Sequence, residues 1–148
     1  MKKIIIINGP NLNMLGIREP SIYGSDTLES INTGILSKAK ELGVVCEFFQ
    51  SNHEGAIIDC IQNARNGFDG IIINPGAYTH YSYAIRDAVT ACGLPCIEVH
   101  MSNVYNRDEF RTKSVVAPVC IGQIAGFGRH GYILGLYAMI EAVKNEQA

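Results

Sequence analysis

Apolar residues in this chain follow two rhythms, one continuous and one helical, and the two take turns. Ile4 to Ile7 is an unbroken β-branched run, the pattern of a strand buried on both faces of a sheet. It stops at Asn8, Gly9, Pro10 and Asn11, a cluster of turn formers. A long polar loop follows, carrying Asn13, Arg18, Glu19 and Tyr23 and closing near Gly24. The helical rhythm then begins, with Leu28, Ile31, Ile35, Ala39 and Leu42 on one face. Asp26 is placed to N-cap this helix, Glu29 to complete a capping box, and Gly43 to end it. Val44 to Gln50 reads as a second strand. Ser51 to Gly55 opens a second helix, with Ile57, Ile58, Ile61 and Ala64 turned inward and Gly67 as its stop.

The alternation continues. Gly70 to Asn74 is a third strand with Pro75 to His80 as its exit loop, and a helix over about Ser82 to Cys92 is closed by Gly93 and Pro95. Cys96 to His100 is the fourth strand. One short helical turn is expected over Asn106 to Phe110, and a fifth strand within Val115 to Ile121, interrupted or bounded by Pro118. The glycine-rich stretch from Gly122 to Gly131 leads into a last helix ending near Lys144. Alternating strands and helices imply βαβ units and a parallel sheet covered on both faces. The fold expected is a three-layer, flavodoxin-like sandwich with a five-stranded parallel sheet in the order 2-1-3-4-5. Its switch point lies between the first and third strands.

Composition narrows the setting. At 148 residues the chain reads as a single domain over 1–148. That is long enough to bury roughly 68–70% of its unfolded surface without a disulfide or a metal. The formal net charge of −2 gives no general attraction to nucleic acid or to an anionic membrane. The five cysteines (Cys46, Cys60, Cys92, Cys96 and Cys120) are odd in number and form no CxxC. Cys92 and Cys96 flank the turn Gly93-Leu94-Pro95. Buried, reduced thiols are the reading, which favours a reducing compartment. The apolar run after Met1-Lys2-Lys3 is too short for a signal peptide, and no stretch is long enough to span a membrane. A cytoplasmic soluble protein is expected.

In a parallel sheet, every strand end that leads into a helix lies on one edge. The first strand delivers Asn8 and Asn11 there, the third Asn74 and His80, the fourth His100 and Ser102. Amides, imidazoles and hydroxyls thus converge, as expected for a small polar ligand. Several absences narrow the chemistry. There is no GxGxxG after the first strand, no GxxxxGK[ST] and no GxSxG elbow. The histidines (His53, His80, His100 and His130) show no metal-ligand spacing. Acid–base chemistry by Tyr, His, Arg and Asn remains. Glu98 lies two residues before His100, so strand alternation puts both on one face, where Glu98 can orient the imidazole or keep it protonated.

Five blocks, NGPNLNMLGIREPSIYG, FFQSNHEG, INPGAYTHYSYAIRDA, IEVHMSNVYNRDEFR and GFGRHGY, resemble the type II 3-dehydroquinate dehydratases, in order and over essentially the whole chain. The resemblance implies a flavodoxin-like enzyme of the shikimate or quinate pathway that converts 3-dehydroquinate to 3-dehydroshikimate without a cofactor or metal. It implies a homo-oligomer, commonly a dodecamer of four trimers. It places Tyr23 as the base and Arg18 as the positive charge that favours the phenolate, both on a lid. It makes Asn11 a stabiliser of the enolate and His100 the acid for the departing hydroxyl. It assigns substrate binding to Asn74, Gly76, His80, Arg111 and the Met101–Ser102 pair, and makes Asp87 a residue that reaches the neighbouring subunit's site. Met101, Gly34 and Arg129 depart from the family's usual residues, and none of the catalytic positions does.

Each of these residues taken singly has a plainer reading. Asn11 can simply make a turn. Arg18 and Arg111 can be solvated, His80 can cap the helix near Ser82, and His100 can be a hydrogen-bonded strand-end histidine. Glu98 resists such a reading, because a carboxylate in a short apolar strand needs a partner. A different class, a non-catalytic flavodoxin-like module carrying FMN or another small ligand, predicts flavin colour and no turnover. A Schiff-base route would need a lysine on the strand edge, and none lies there.

Overall fold

The structure, a computed structural model, describes residues 1–17 and 26–145. Five strands, β1 (Lys3–Asn8), β2 (Val45–Gln50), β3 (Gly70–Asn74), β4 (Cys96–His100) and β5 (Gly122–Ala125), form one parallel sheet in the order β2-β1-β3-β4-β5. Four α-helices lie among the described residues: α1 (Leu28–Leu42), α2 (Glu54–Ala64), α3 (Tyr83–Cys92) and α4 (His130–Asn145). The expected strand order and its switch point between β1 and β3 are both present.

The alternating faces of the central strands sort the core into two layers. Ile4, Ile6, Ile72, Ile97 and Val99 pack with Ile31, Ile35 and Ala39 of α1 and with Tyr132, Leu136 and Met139 of α4. Ile5, Ile7, Ile71 and Ile73 pack with Ile57 and Ile61 of α2 and Ile85 and Val89 of α3. The unbroken apolar runs of β1 and β3 follow from this, since both faces of each strand are covered. The helical stripe read for α1 is the buried one, with Leu28 and Leu42 packed at its margins.

Three expectations about local structure need correction. The α1 cap is Thr27, not Asp26: Thr27 Oγ1 accepts from the Ser30 amide at 3.1 Å, and Ser30 Oγ accepts in turn from the Thr27 amide at 3.1 Å. Asp26 instead accepts from Arg129 Nη1 at 3.0 Å, across 103 residues of sequence. The fifth strand is Gly122–Ala125 and not a segment of Val115–Ile121. Ala117–Val119 closes as a 3₁₀ turn around Pro118, with Ser114 Oγ accepting from the amides of Val116 and Ala117. Only at Ile121, whose amide donates to the Cys96 carbonyl at 2.8 Å, does pairing with β4 begin. β5 is a half-buried edge strand, so its residues carry no apolar run that periodicity could detect. The single turn expected near Asn106 is a pair of 3₁₀ turns, Val104–Asn106 and Glu109–Arg111.

Candidate active site

The carboxyl ends of β1, β3 and β4 meet at the switch point, where open α/β sheets bind ligands. Asn8 and Asn74 are register partners there, and the Gly9 amide donates to the Asn74 carbonyl at 2.8 Å. The two exit loops approach so closely that a Cβ on Gly9 would lie 2.5 Å from the Pro75 carbonyl oxygen. Glycine at position 9 is therefore a packing requirement. Asn11 has φ of 69°, a left-handed conformation that asparagine tolerates better than most residues, and its amide donates to Asn52 Oδ1 at 3.0 Å.

A cleft of about 200 Å³ opens on this edge. Asn11, Asn74, Gly76, His80, His100, Met101, Ser102 and Arg111 all line it. The structure thus gathers eight of the sequence-derived site residues from three strand exits and the 3₁₀ turn Glu109–Arg111. Leu12, Leu15, Pro10 and Ala77 supply its apolar wall. Asp87 does not line the cleft; it is exposed on α3. Arg18 and Tyr23 lie outside the described residues.

His100 is the most tightly held member. It is buried, and its Nε2 lies 3.0 Å from Glu98 Oε2, on the same strand face as alternation requires. Glu98 is 0% exposed, so its charge depends wholly on its partners. Thr79 Oγ1 and Ser114 Oγ both donate to its Oε1 at 2.8 Å, and Gln123 Nε2 joins His100 at Oε2. Burial pushes the Glu98 pKa up, but hydrogen bonding and charge from His100, then bonds from Gln123 and Thr79, outweigh it. The net shift is downward. An ionised carboxylate only accepts, so Nε2 of His100 carries a proton and Nδ1 is the nitrogen left for a ligand.

His80 is set in the opposite sense. Its Nδ1 lies 2.8 Å from the Lys113 carbonyl, which can only accept, so Nδ1 is the protonated nitrogen. Burial lowers the His80 pKa, against the Lys113 bond, and positive charge on Arg107, His100 and Arg111 lowers it further. At neutral pH it presents an uncharged ring whose Nε2 is an acceptor. The helix cap once open to His80 belongs to Ser82, whose Oγ accepts from the Ile85 amide at 3.1 Å.

Sequence reasoning missed Arg107, which also lines the cleft and whose Nε donates to Ser102 Oγ at 3.1 Å. It lies in an irregular segment where no periodicity marks a side chain's direction. Thr79, Ser114 and Gln123 were missed for another reason: they converge on Glu98 from separate loops and from β5. The demand of a buried carboxylate for partners was the only available signal, and it did not say which residues would meet it.

The fold and the cleft together define a flavodoxin-like α/β protein with a polar cleft at its switch point. The sequence model of the dehydroquinase class II family matches residues 2–140. A 3-dehydroquinate dehydratase of Caldicellulosiruptor bescii is 62% identical over 142 residues, covering 95% of this chain and 98% of its own. One from Bacillus cytotoxicus is 57% identical over 141 residues, covering 95% and 97%. The crystal structure of a type II dehydroquinase from Butyrivibrio crossotus superposes with a TM-score of 0.91 at 56% identity, covering 93% of this chain and 97% of that one. The chain belongs to the class II dehydroquinase family and is an enzyme of the hydro-lyase type.

Proposed function

We propose that this chain dehydrates 3-dehydroquinate to 3-dehydroshikimate through an enolate, as a step of the shikimate pathway toward aromatic amino acids. Family membership and the naming of the 57–62% identical relatives support the activity. The observation that carries the mechanism is the pair Glu98–His100, an imidazole held by a buried carboxylate inside a polar cleft.

In this reading Tyr23 removes the proton α to the ketone as a phenolate, favoured by Arg18. A free tyrosine with pKa about 10 is mostly protonated at neutral pH, so the adjacent positive charge is essential. The C–H electron pair moves into the enolate, and Asn11 stabilises its oxygen, partly through an ordered water. The C–O bond of the β-hydroxyl then breaks, and His100 donates its Nδ1 proton to the departing oxygen, releasing water. Glu98 is a positioning residue: it binds the far nitrogen and so aims Nδ1. Asn74, Gly76, His80, Arg111 and the main chain at Met101–Ser102 hold the substrate's carboxylate and hydroxyls.

We further propose a homo-oligomer, a dodecamer of four trimers, in which exposed Asp87 reaches a neighbouring site. A fully active monomer in sedimentation would overturn that part. The activity is tested by mixing the purified protein with 3-dehydroquinate, without metal or cofactor, and following ultraviolet absorbance as the conjugated enone forms. A steady rise that Tyr23→Phe nearly abolishes is the expected result. A flat trace from folded protein points to a binding module on the same fold.

A further inference from the structure

Behind the cleft wall, on the face of the sheet away from Glu98, a second polar group is buried that the mechanism does not use. Tyr132 of α4 is 0% exposed, and its ring belongs to the core between α4 and the sheet. Its hydroxyl reaches the switch point between the ends of β1 and β3. There it lies 2.6 Å from Asn8 Oδ1 and 3.0 Å from Asn74 Nδ2. Asn8 and Asn74 are themselves 1% and 4% exposed, so none of the three has solvent as an easy substitute.

The polarity of this chain of hydrogen bonds is settled by one main-chain group. The Gly76 amide donates to Asn74 Oδ1 at 3.2 Å, and an amide N–H cannot do otherwise. The oxygen of the Asn74 side chain is thereby turned to Gly76, and its nitrogen to Tyr132. The tyrosine oxygen must then accept, and its single proton goes to Asn8 Oδ1. Burial raises the Tyr132 pKa, against a smaller lowering by the Asn74 bond, so the hydroxyl keeps its proton around neutral pH. A buried relay of this kind tolerates no reversal, because flipping either amide would oppose two donors or two acceptors.

We infer that Tyr132 is a positioning residue for substrate binding: its hydroxyl locks the Asn74 carboxamide so that the second Nδ2–H is presented to the cleft. Asn74 lines that cleft, so the site takes a hydrogen-bond acceptor at this point, a hydroxyl or carboxylate oxygen of the substrate. The inference rests on the dehydratase reading above and deepens it.

The test is a mutant cycle read in KM and kcat for 3-dehydroquinate. Tyr132→Phe keeps the ring and removes the relay, and a KM raised about tenfold with kcat changed less than about threefold is expected from one misaligned hydrogen bond. In an Asn74→Ala background the same change should move KM less than about twofold. An unchanged KM in folded Tyr132→Phe, or the same KM effect with and without Asn74, would overturn the inference in favour of a purely structural tyrosine. Should Tyr132→Phe not fold, Asn8→Ala unhooks the relay from its other end and is read in the same cycle. Wild-type protein that neither binds nor turns over 3-dehydroquinate would fail before any variant is compared, removing the dehydratase reading and this inference with it.

Discussion

Two buried polar networks flank the cleft, one on each face of the sheet, and they are built on opposite principles. On the β4 side the centre is a charge: Glu98, wholly buried, is met by four side-chain donors from four parts of the chain. On the β1/β3 side everything is neutral: Asn8, Tyr132 and Asn74 pass one hydrogen-bond direction along a line that ends at a main-chain amide. In the proposed reaction the charged network serves His100, a side chain that must hold and release a proton. The neutral one serves side chains that need only keep their orientation. A buried carboxylate titrates with pH, while a neutral relay does not, so each sits where its behaviour suits the task.

The comparison can be broken first at its most reactive point. His100→Ala should lower kcat by about 10²–10⁴-fold, the usual worth of a general acid, with a much smaller change in KM. A variant within tenfold of the wild type would remove His100 from the acid's role. Breaking the charged network behind it comes next. Glu98→Ala leaves buried donors and an imidazole without their anion and should cost about 3–5 kcal/mol of stability at neutral pH. Because folding lowers the Glu98 pKa, the wild-type contribution is complete above the ordinary glutamate value of 4.5 and is lost as pH falls through the lowered folded value. Urea denaturation of both proteins should therefore show a gap that narrows in acid. A gap that widens there would contradict the ionised state of Glu98.

The neutral network should behave differently in the same experiment. Tyr132→Phe is expected to cost about 1–3 kcal/mol, from leaving Asn8 Oδ1 and one Asn74 Nδ2–H without the tyrosine hydroxyl, and that cost should stay constant from mildly acidic to mildly alkaline pH. A strong pH dependence would mean that the relay includes an ionised group. The smallest effect is expected at Gly34 of α1, where an added Cβ would meet the Arg129 guanidinium. Gly34→Ala favours the helix by about 1 kcal/mol but displaces Arg129 from Asp26, and the net change should stay within about 1 kcal/mol. A larger loss in thermal denaturation would show that the contact between Asp26 and Arg129 matters more than an exposed pair ordinarily does.

Chain order alone was enough for much of this architecture. The isoleucine runs of β1 and β3 need cover on both faces, and their alternation with amphipathic helices leaves a parallel sheet as the consistent solution. Once the sheet is parallel, Asn11, Asn74, His80, His100 and Ser102 must share its carboxyl edge, and they line one cleft. The spacing of Glu98 and His100 also carried its meaning locally, through the two-residue period of a strand. These are short-range consequences of backbone geometry, which is why they can be read without coordinates.

Other features depend on which distant segments meet, and only the tertiary structure decided those. Asp26 had the composition of a cap but was taken by Arg129, so the cap moved to Thr27. β5 had no apolar signature of its own and is a strand because the edge of β4 was open to it. Arg107 turned out to be a wall of the cleft, and Tyr132, a residue of α4 packed in the core, carries a hydroxyl to the switch point. Each outcome is a competition for partners between residues far apart in sequence. Periodicity and spacing report what a segment can do, whereas a hydrogen bond or an ion pair is assigned only when the fold brings one candidate within reach and leaves the others too far away.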